Sequence, residues 1–362
     1  MDKLLYFGHL SEGFSGWSRA SYEYIRALST QFDVVARSVP LTKNISPPED
    51  IQECINKELG TPKYCIQHVL PHYLEYSGYF KKNVCIAILE SNNLIENDWT
   101  RRINLMDEVW SPSEYKEESI TKPIKIFPHA GNIHNYNISE GIEVPAGYNF
   151  YTICDFTRRK NINALIRAFH AEFSVNEPVN LVLKMNKFNT STEELEYIAD
   201  ESFKKIKEGL KLYSRNGYKR EYLITNDLNE FEINGLHKSC DCYVSTSYGE
   251  AWGWPIFDSM AFGNCIVAPN KGGHMEYLQH YTNKYLVETR TEPCYAALET
   301  FDHLYSAYET WENIDILDLQ KQMRRAYNDR SRYIKSGIVE EGLEVIKKYN
   351  YEKVGQLAKE LL

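Results

Sequence analysis

The sequence predicts an α/β protein with two Rossmann-like, doubly wound parallel-sheet domains that face a cleft, followed by a helical C-terminal tail. Short apolar runs of strand length alternate with amphipathic helical stretches, and this alternation indicates parallel sheets covered by helices on both faces. The alternation stops once in the middle of the chain and then begins again. With 362 residues, the chain is also long enough for two domains.

The first domain is predicted over residues 1–138. Its strands are expected at 3–7, 32–37, 64–70, 84–89, 108–110 and 124–127, where the apolar runs lie. A helix over 18–29 follows the first strand, because Tyr24 and Leu28 recur at helical spacing. A second helix opens at Pro47 and Pro48, since proline is favoured in a first helical turn.

The second domain is predicted over residues 149–337, after a linker at 139–148 that has no regular pattern and carries two glycines. Its strands are expected at 149–154, 180–185, 221–224, 241–245 and 264–268. A helix over 161–173 carries an apolar stripe. Beyond Pro293 we expect only helices, and residues 338–362 form the helical tail.

Composition excludes several classes of protein. The formal net charge of −9 argues against wholesale nucleic-acid binding, because such proteins usually carry a basic footprint. No apolar stretch approaches the roughly 20 residues that span a bilayer, and the N-terminus begins as a strand rather than as a signal peptide. Eight cysteines are scattered along the chain, several of them inside predicted buried strands, which is typical of reduced thiols in a cytoplasmic protein.

Open α/β sheets bind ligands beyond the carboxyl ends of their strands, so the loops there are the expected site. The clearest group follows the strand that ends at Ser247. A glycine-containing turn carries Glu250, a helix begins near Pro255, and Asp258 lies eight positions after Glu250. The backbone N–H groups at such a helix start favour a phosphate or a sugar hydroxyl. A helix cap with a solvated aspartate would produce the same pattern.

From Glu250 onward the chain reads E-A-W-G-W-P-I-F-D-S-M-A-F-G-N-C-I-V. This phrase resembles the signature of retaining glycosyltransferases of family four (glycosyltransferase group 1), in which seven residues separate two acids. Here the second acid is Asp258 in place of the usual glutamate. The segment K-G-G-H-M-E, which ends at Glu276, resembles the family's G-G-x-x-E turn. The resemblance, best over 148–280, implies the GT-B architecture and a tail at 338–362 that packs back toward the first domain.

A basic loop follows the first strand of the second domain, where Arg158, Arg159 and Lys160 precede a helix. Three cations there oppose the helix dipole, and a local conflict of this kind marks functional sites more often than solvated helix starts. The loop resembles the family's basic loop, whose cations stabilise the charge on a leaving diphosphate without a proton transfer. The resemblance assigns Lys160 directly and leaves open which arginine takes the family arginine's place. Lys184 ends the next strand, and both phosphate contact and a structural place are open for it.

Further parts of the resemblance lie in the first domain. The stretch G-F-S-G-W, which begins at Gly13, resembles the family's glycine-rich loop below the diphosphate, and Gly16 is the residue that aligns. Glu90 follows a predicted buried strand at the position where many relatives carry a histidine that touches the donor sugar. His129 lies in a turn that resembles the family's P-H/N-G-V-D, and both a ligand role and a hydrogen bond within the turn are open for it.

The resemblance implies transfer of a sugar from a nucleotide-diphosphate sugar to a glycan, lipid-linked or other hydroxyl acceptor. Glu250 would orient the hydroxyls of the donor sugar, and Asp258 would bind the ribose. The donor-binding set is completed by Tyr248, Ala251, Trp252, Gly253, Trp254 and Glu276. The acceptor would attack the face from which the nucleotide leaves, so catalysis consists of positioning and charge stabilisation. No DxD pair ends a strand, so we expect no metal and no cofactor beyond the nucleotide-sugar substrate.

Two other functions stay open. Residues 201–220 carry seven lysines or arginines and two acids. This charge fits contact with nucleic-acid or membrane phosphates, as in a phage- or viral-type DNA-base glycosyltransferase, and it equally fits a solvated helical face. Asp258 and Glu90 depart from the family pattern, which fits a nucleotide- or glycan-binding module whose catalysis has decayed. The presence of Glu250 and of the basic loop favours transfer.

Overall fold

The computed structural model of the chain describes residues 1–10, 15–39, 47–94, 98–138, 140–213, 217–295, 305–332 and 335–362. Across these ranges the chain divides into two units, Met1–His134 with Val345–Leu362 and Asn135–Glu344. Each unit is built around a parallel β-sheet, so the predicted pair of Rossmann-like sheets is confirmed. The domain boundaries predicted from the sequence stay predictions, and the predicted linker starts at position 139, which lies outside the described residues.

The sheet of the first unit contains the strands that the sequence predicts, with ends that differ by a few residues. They are β1 (Lys3–Gly8), β2 (Asp33–Ser38), β3 (Tyr64–His68), β4 (Lys82–Ile86), β5 (Glu108–Ser111) and β6 (Ile124–Ile126), in the spatial order β2-β1-β3-β4-β5-β6. The central strands are apolar runs because helices or loops cover both faces of a parallel sheet. The strand order changes direction between β1 and β3, and this switch point is where such sheets form ligand crevices.

The helices alternate with the strands along most of the chain. In chain order they are α1 (Gly16–Ser29), α2 (Glu49–Asn56), α3 (Asp98–Ile103), α4 (Ile162–Glu172), α5 (Thr192–Leu210), α6 (Glu230–Ser239), α7 (Trp254–Ala261), α8 (Met275–Leu278), α9 (Ile316–Asn328), α10 (Lys335–Ile346) and α11 (Tyr351–Leu361). Within the described ranges, none of them combines the length and the apolar character needed to cross a bilayer.

The last helix, α11, packs against α1 within the first unit. The Tyr351 hydroxyl donates a hydrogen bond to Glu23 Oε2 at 2.5 Å. A Cβ atom at Gly355 would stand 2.3 Å from the carbonyl oxygen of Ala27, which is closer than any side chain allows. The glycine therefore permits the close approach of these two helices, which buries an apolar face of each.

Buried histidines surround the switch point of the first sheet. His9 follows β1, with its Nδ1 2.6 Å from the carbonyl oxygen of Val39 and its Nε2 3.1 Å from the Leu70 nitrogen, which donates to it. His129 contacts the Tyr24 hydroxyl through Nδ1 at 2.8 Å. Burial lowers the pKa of His9 to about 4 and that of His129 to about 3, because the imidazolium would lose its hydration.

We expect mild acid to destabilise the first unit. In the unfolded chain these histidines titrate near pH 6.5, so below that pH the unfolded state binds protons that the folded state does not bind. Stability that is fully present above pH 6.5 is therefore lost as the pH falls toward the folded pKa values. Each histidine contributes up to about 1.4 kcal/mol per pH unit in that window. Urea unfolding at neutral pH and near pH 5 measures the loss. The variant His129→Gln should lose less stability than the parent chain, and an equal loss would contradict the assignment.

The second unit contains another parallel sheet, whose carboxyl edge carries the predicted site. Its strands are β7 (Tyr148–Asp155), β8 (Val179–Asn186), β9 (Tyr222–Ile224), β10 (Cys242–Val244), β11 (Cys265–Pro269) and β12 (Lys284–Val287), in the order β12-β11-β10-β7-β8-β9. The order changes direction between β7 and β10, which pair in parallel. The loops that follow these two strands therefore lie side by side at the switch point, where ligands bind.

A hairpin outside this sheet corrects one sequence expectation. Strands β13 (Thr289–Pro293) and β14 (Thr310–Ile314) pair in antiparallel fashion, so the prediction of helices alone beyond Pro293 is wrong. Trp311 and Ile314 are buried, and their spacing of three is compatible with a helix as well as with a strand. The partner of β14 lies about twenty positions earlier in the chain, and local pattern cannot reveal such a pairing.

Candidate active site

The basic loop leaves β7 and leads into α4. Arg158, Arg159 and Lys160 form a single 3₁₀ turn, and Asn161 follows with a φ of +50° at the N-cap of α4. Asparagine is among the few residues that adopt this left-handed conformation at low cost. The turn directs the chain from the sheet edge into the helix, with three cations at the carboxyl end of β7.

The loop after β10 is hydrogen-bonded to this basic loop. The Thr246 hydroxyl lies 3.1 Å from the carbonyl oxygens of both Lys160 and Asn161. The Tyr248 N–H donates to the Arg159 carbonyl at 2.8 Å, and Arg159 Nη1 donates to the Gly249 carbonyl at 2.7 Å. These bonds hold together the two loops that the topology places side by side.

Glu250 forms an ion pair with the basic loop. Its Oε1 lies 2.5 Å from Lys160 Nζ and 3.4 Å from Arg159 Nη1, and all three side chains are less than one-fifth exposed. Burial alone would raise the pKa of Glu250, but the charges of Lys160 and Arg159 and hydrogen bonds from Lys160 and Ser247 outweigh burial and lower that pKa to about 2. The site therefore carries an ionised carboxylate and two cations in one cluster at neutral pH.

The turn from Glu250 into α7 is shaped by Gly253, whose φ is +83°. A side chain there would be strained. The Tyr277 hydroxyl lies 2.9 Å from the carbonyl oxygens of both Trp252 and Gly253. The side chains of Ala251, Trp252 and Trp254 are buried, so the donor contacts predicted for them would come from their backbone N–H groups at the start of α7.

The K-G-G-H-M-E segment contacts the same turn from the other side. The Gly273 N–H donates to the Glu250 carbonyl at 2.6 Å, and the Glu276 N–H donates to the Gly273 carbonyl at 3.1 Å. His274 is buried, with Nε2 2.8 Å from the Pro269 carbonyl oxygen. Burial lowers the pKa of His274. Glu276 therefore lies in the first turn of α8, in a segment that is hydrogen-bonded to the loop that carries Glu250.

Asp258 lies inside α7 and is only 2% exposed. Its Oδ1 accepts a hydrogen bond from the Tyr136 hydroxyl at 2.7 Å. Nothing in the sequence signals this tyrosine as a partner, because the two residues are far apart in the chain. The ribose contact predicted for Asp258 stays a prediction.

Arg158 and Tyr248 lie against each other at the edge of the site. The Arg158 guanidinium lies 5.0 Å from the centre of the Tyr248 ring, and Arg158 Nε donates to the Tyr295 carbonyl at 3.4 Å. Of the two arginines that the sequence leaves open, the structure thus places Arg159 beside Glu250 and Arg158 over an aromatic ring.

Lys184 lies at the end of β8 and is 2% exposed. It donates hydrogen bonds to the side-chain oxygen of Asn186 and, at 3.4 Å, to the Met185 carbonyl. Burial lowers its pKa, and the charges of Asp227 and Asp155 act against this shift. Lys184 is therefore a buried cation whose hydrogen-bond acceptors lie on its own strand.

The remaining candidates belong to the first unit. Gly16 begins α1, and Glu90 is half-buried in the segment that follows β4. His129 is 4% exposed and makes the contact with Tyr24 already described. Gly13 lies outside the described residues.

The basic stretch 201–220 is partly engaged in contacts of its own. Lys207 binds the buried Glu221 carboxylate at 2.9 Å, Lys204 pairs with Glu201 at 3.3 Å, and Lys219 donates to the carbonyls of Val175 and Glu177. Arg215 lies outside the described residues. These contacts reduce the charge that the stretch presents to a partner.

Three residues of the site escape sequence reasoning. Ser247 hydrogen-bonds Glu250, Tyr277 supports the turn at Gly253, and Trp311 stacks on Tyr248. Ser247 and Tyr277 are next to motifs that can be recognised in the sequence, and this proximity is the signal that could have identified them. Trp311 carries no local signal. Among the described residues, no three His, Cys, Asp or Glu side chains are grouped to hold a metal ion.

The comparisons with known proteins agree with this geometry. The family model described as glycosyl transferases group 1 matches residues 149–299, which include the basic loop, the turn at Glu250 and the K-G-G-H-M-E segment. No curated protein matches the chain.

Several solved structures are similar over the whole length of the chain. Sucrose-phosphate synthase from Thermosynechococcus elongatus is 12% identical, with a TM-score of 0.64 and coverage of 100% of this chain and 98% of its own. Anabaena HepE, in complex with UDP and glucose, is 13% identical with a TM-score of 0.63 and coverage of 100% and 99%. The trehalose-6-phosphate protein from E. coli, bound with UDP-2-fluoro glucose, is 9% identical with a TM-score of 0.64 and coverage of 99% and 98%.

At these identities the structural likeness establishes the fold, while the family match identifies residues 149–299 of the second unit as a glycosyl transferase domain. The family match agrees with the prediction made from the motif at Glu250, and the fold agrees with the predicted pair of parallel sheets. Residues 149–299 thus form a domain of the family described as glycosyl transferases group 1, and the chain has the GT-B fold.

Proposed function

We propose that the protein is a retaining, metal-independent glycosyltransferase that moves a sugar from a nucleotide-diphosphate sugar to a hydroxyl of a glycan, lipid-linked or other acceptor. The observation that carries this proposal is the cluster of Lys160, Arg159 and Glu250 at the carboxyl ends of β7 and β10. The cations match the charge of a diphosphate. The ionised carboxylate only accepts hydrogen bonds and therefore matches sugar hydroxyls.

The proposed step needs no protein nucleophile. The bond between the anomeric carbon and the phosphate oxygen breaks, and the acceptor oxygen bonds to that carbon on the same face. The acceptor proton goes to the leaving phosphate, while Lys160 and Arg159 stabilise the diphosphate charge. A carboxylate with a pKa of about 2 is a poor general acid near neutral pH. This property of Glu250 supports a role in orienting the donor sugar.

Uridine nucleotides are the first donors to test, because HepE and the E. coli protein were crystallised with UDP or a UDP sugar. Thermal unfolding with UDP-, GDP-, ADP- and TDP-sugars identifies the donor, since a ligand that binds the folded state raises the midpoint. Transfer is then followed with that donor by NMR, which reports the anomeric configuration of the product, with and without EDTA.

We expect a product of retained configuration and an equal rate in EDTA. An inverted product would contradict the retaining mechanism, and a rate lost in EDTA and restored by a divalent ion would contradict metal independence. Donor binding without transfer or donor hydrolysis would favour the binding module instead.

The ribose role proposed for Asp258 has its own test. Asp258→Asn keeps an oxygen that accepts from Tyr136 but removes the charge. If the carboxylate binds the ribose, this variant should raise the donor's KM by about tenfold, since hydrogen bonds to charged groups contribute about 1.5–3 kcal/mol, and it should lower kcat less. An unchanged KM would reject the role.

Contact of residues 201–220 with DNA or a membrane, and a cytoplasmic location, stay predictions. Of the described cations, Lys205, Lys211 and Arg220 are the exposed ones. A salt-dependent shift of DNA, or cosedimentation with anionic vesicles, that disappears in Lys205→Gln/Lys211→Gln/Arg220→Gln would support the contact.

A further inference from the structure

The hairpin of β13 and β14 lies against the loop that carries Glu250. Tyr248 belongs to that loop, and its carbonyl accepts a hydrogen bond from the Glu312 N–H at 2.9 Å. The rings of Tyr248 and Trp311 stack with their centres 4.5 Å apart and their planes 13° apart. Both residues are more than 95% buried. One backbone hydrogen bond and one buried ring stack therefore join the loop to the hairpin.

Tyr248 is held on its other sides by the basic loop. Arg158 lies over its ring, and the Tyr248 N–H donates to the Arg159 carbonyl. The ring of Tyr248 is therefore packed between a guanidinium and the Trp311 indole, two arrangements that stabilise aromatic side chains beyond simple burial.

The hairpin also contacts the K-G-G-H-M-E segment. The Glu312 carboxylate accepts hydrogen bonds from the hydroxyls of Thr289 and Thr291, each at 2.8 Å, and pairs with Lys271 at 3.2 Å. Lys271 is more than half exposed, so the ion pair itself contributes little. The threonine bonds fix the Glu312 side chain within the hairpin, at the same residue whose backbone N–H donates to the Tyr248 carbonyl.

We infer that the hairpin holds the Glu250 carboxylate in its position and that Trp311 is the principal positioning residue of the hairpin. Glu250 is two positions from Tyr248, and its own carbonyl is held by Gly273. The backbone before Glu250 is thus fixed through Tyr248, and the backbone at Glu250 is fixed through Gly273. The hairpin contacts both of these segments. A displacement of about 1 Å at a site of this kind can cost about 10²-fold in rate. This inference rests on the proposed function, because it assigns Trp311 a part in the same reaction.

The test compares Trp311→Leu, which removes the ring, with Trp311→Phe, which keeps an aromatic face against Tyr248. We expect Trp311→Leu to lower kcat for transfer by about ten- to a hundredfold. UDP affinity, measured by calorimetry, should change less than about threefold, because Lys160 and Arg159 remain. Trp311→Phe should recover most of kcat.

A double-mutant cycle separates positioning from general damage. In a Glu250→Gln background, Trp311→Leu should lower kcat no further, since the group that it positions has already been altered. An equal further loss there, or an unchanged kcat in Trp311→Leu alone, would overturn the inference. Tyr308→Ala, at a residue that is 72% exposed just before β14, is the matched control and should transfer like the parent.

A milder variant covers the case in which Trp311→Leu does not fold. Thr291→Val removes one hydrogen bond to Glu312 and should lower kcat in the same direction, again without a change in UDP affinity. An unchanged kcat in this folded variant would contradict the role of the hairpin in positioning Glu250. A parent chain that transfers no sugar from any donor would instead contradict the proposed function.

Discussion

Replacing Lys160 with methionine should lower kcat/KM for sugar transfer by about 10²- to 10³-fold, the usual cost of removing one preorganised group that stabilises developing charge. Lys160 Nζ is the closest cation to Glu250, at 2.5 Å, and lies at the switch point between β7 and β10. Methionine keeps an unbranched side chain of similar length without the charge. Lys160→Arg keeps the charge but changes its geometry, so it should recover only part of the rate.

The measurement is steady-state transfer with the donor found by thermal unfolding, together with the affinity for the nucleoside diphosphate of that donor. Lys321→Met, at an exposed position on α9, is the matched control and should behave like the parent. Loss of Lys160 leaves Glu250 with Arg159 at 3.4 Å, so the pKa of Glu250 should rise and some stability should be lost. If a folded Lys160→Met variant transfers at the parental rate, Lys160 does not stabilise the leaving group.

Replacing Glu250 with glutamine should lower kcat by about 10²-fold without weakening binding of the donor's nucleoside diphosphate. The change removes a negative charge next to Lys160 and Arg159, so the site becomes more attractive to an anion. The orientation of the donor sugar is impaired at the same time, because an amide replaces a group that accepts hydrogen bonds at both oxygens. Opposite effects on kcat and on nucleotide affinity distinguish this role from simple damage to the fold.

Calorimetry with the nucleoside diphosphate of the identified donor and initial rates of transfer provide the two readouts, and Glu201→Gln on α5 is the control. Parallel losses of affinity and rate in Glu250→Gln would contradict the orienting role. The pH profile adds a check. Since the pKa of Glu250 is about 2, the carboxylate stays ionised above roughly pH 4, and any acid limb in kcat/KM near pH 5–7 should persist in the variant.

Much of the fold could be predicted because it follows from local pattern. Parallel strands that are covered on both faces are continuous apolar runs, so strands such as β7 and β11 stand out from the helices between them. The basic loop and the turn at Glu250 could also be recognised in the sequence alone. A cluster of cations at a helix start conflicts with the helix dipole, and such a conflict needs no knowledge of distant contacts to be noticed.

The rest depends on residues that are distant in the chain. Asp258 could be singled out by its spacing from Glu250, but its partner Tyr136 could not. Arg158 and Arg159 are equivalent in the sequence, and their different surroundings arise only when Tyr248 lies beside one and Glu250 beside the other. Trp311 has the spacing of a helix residue and becomes part of a strand through its distant pairing.

The sequence by itself determined two α/β domains and the loops after β7 and β10 in which the chemistry lies. Hydrophobic periodicity and the carboxyl-end rule act over short stretches of chain, so they can be read without coordinates. Only the tertiary structure decided that Lys160 pairs with Glu250, that this pair lowers the pKa of the carboxylate to about 2, and that a hairpin carrying Trp311 supports the loop. Ion pairing and ring stacking depend on distances of a few ångströms between residues that the strand order brings together.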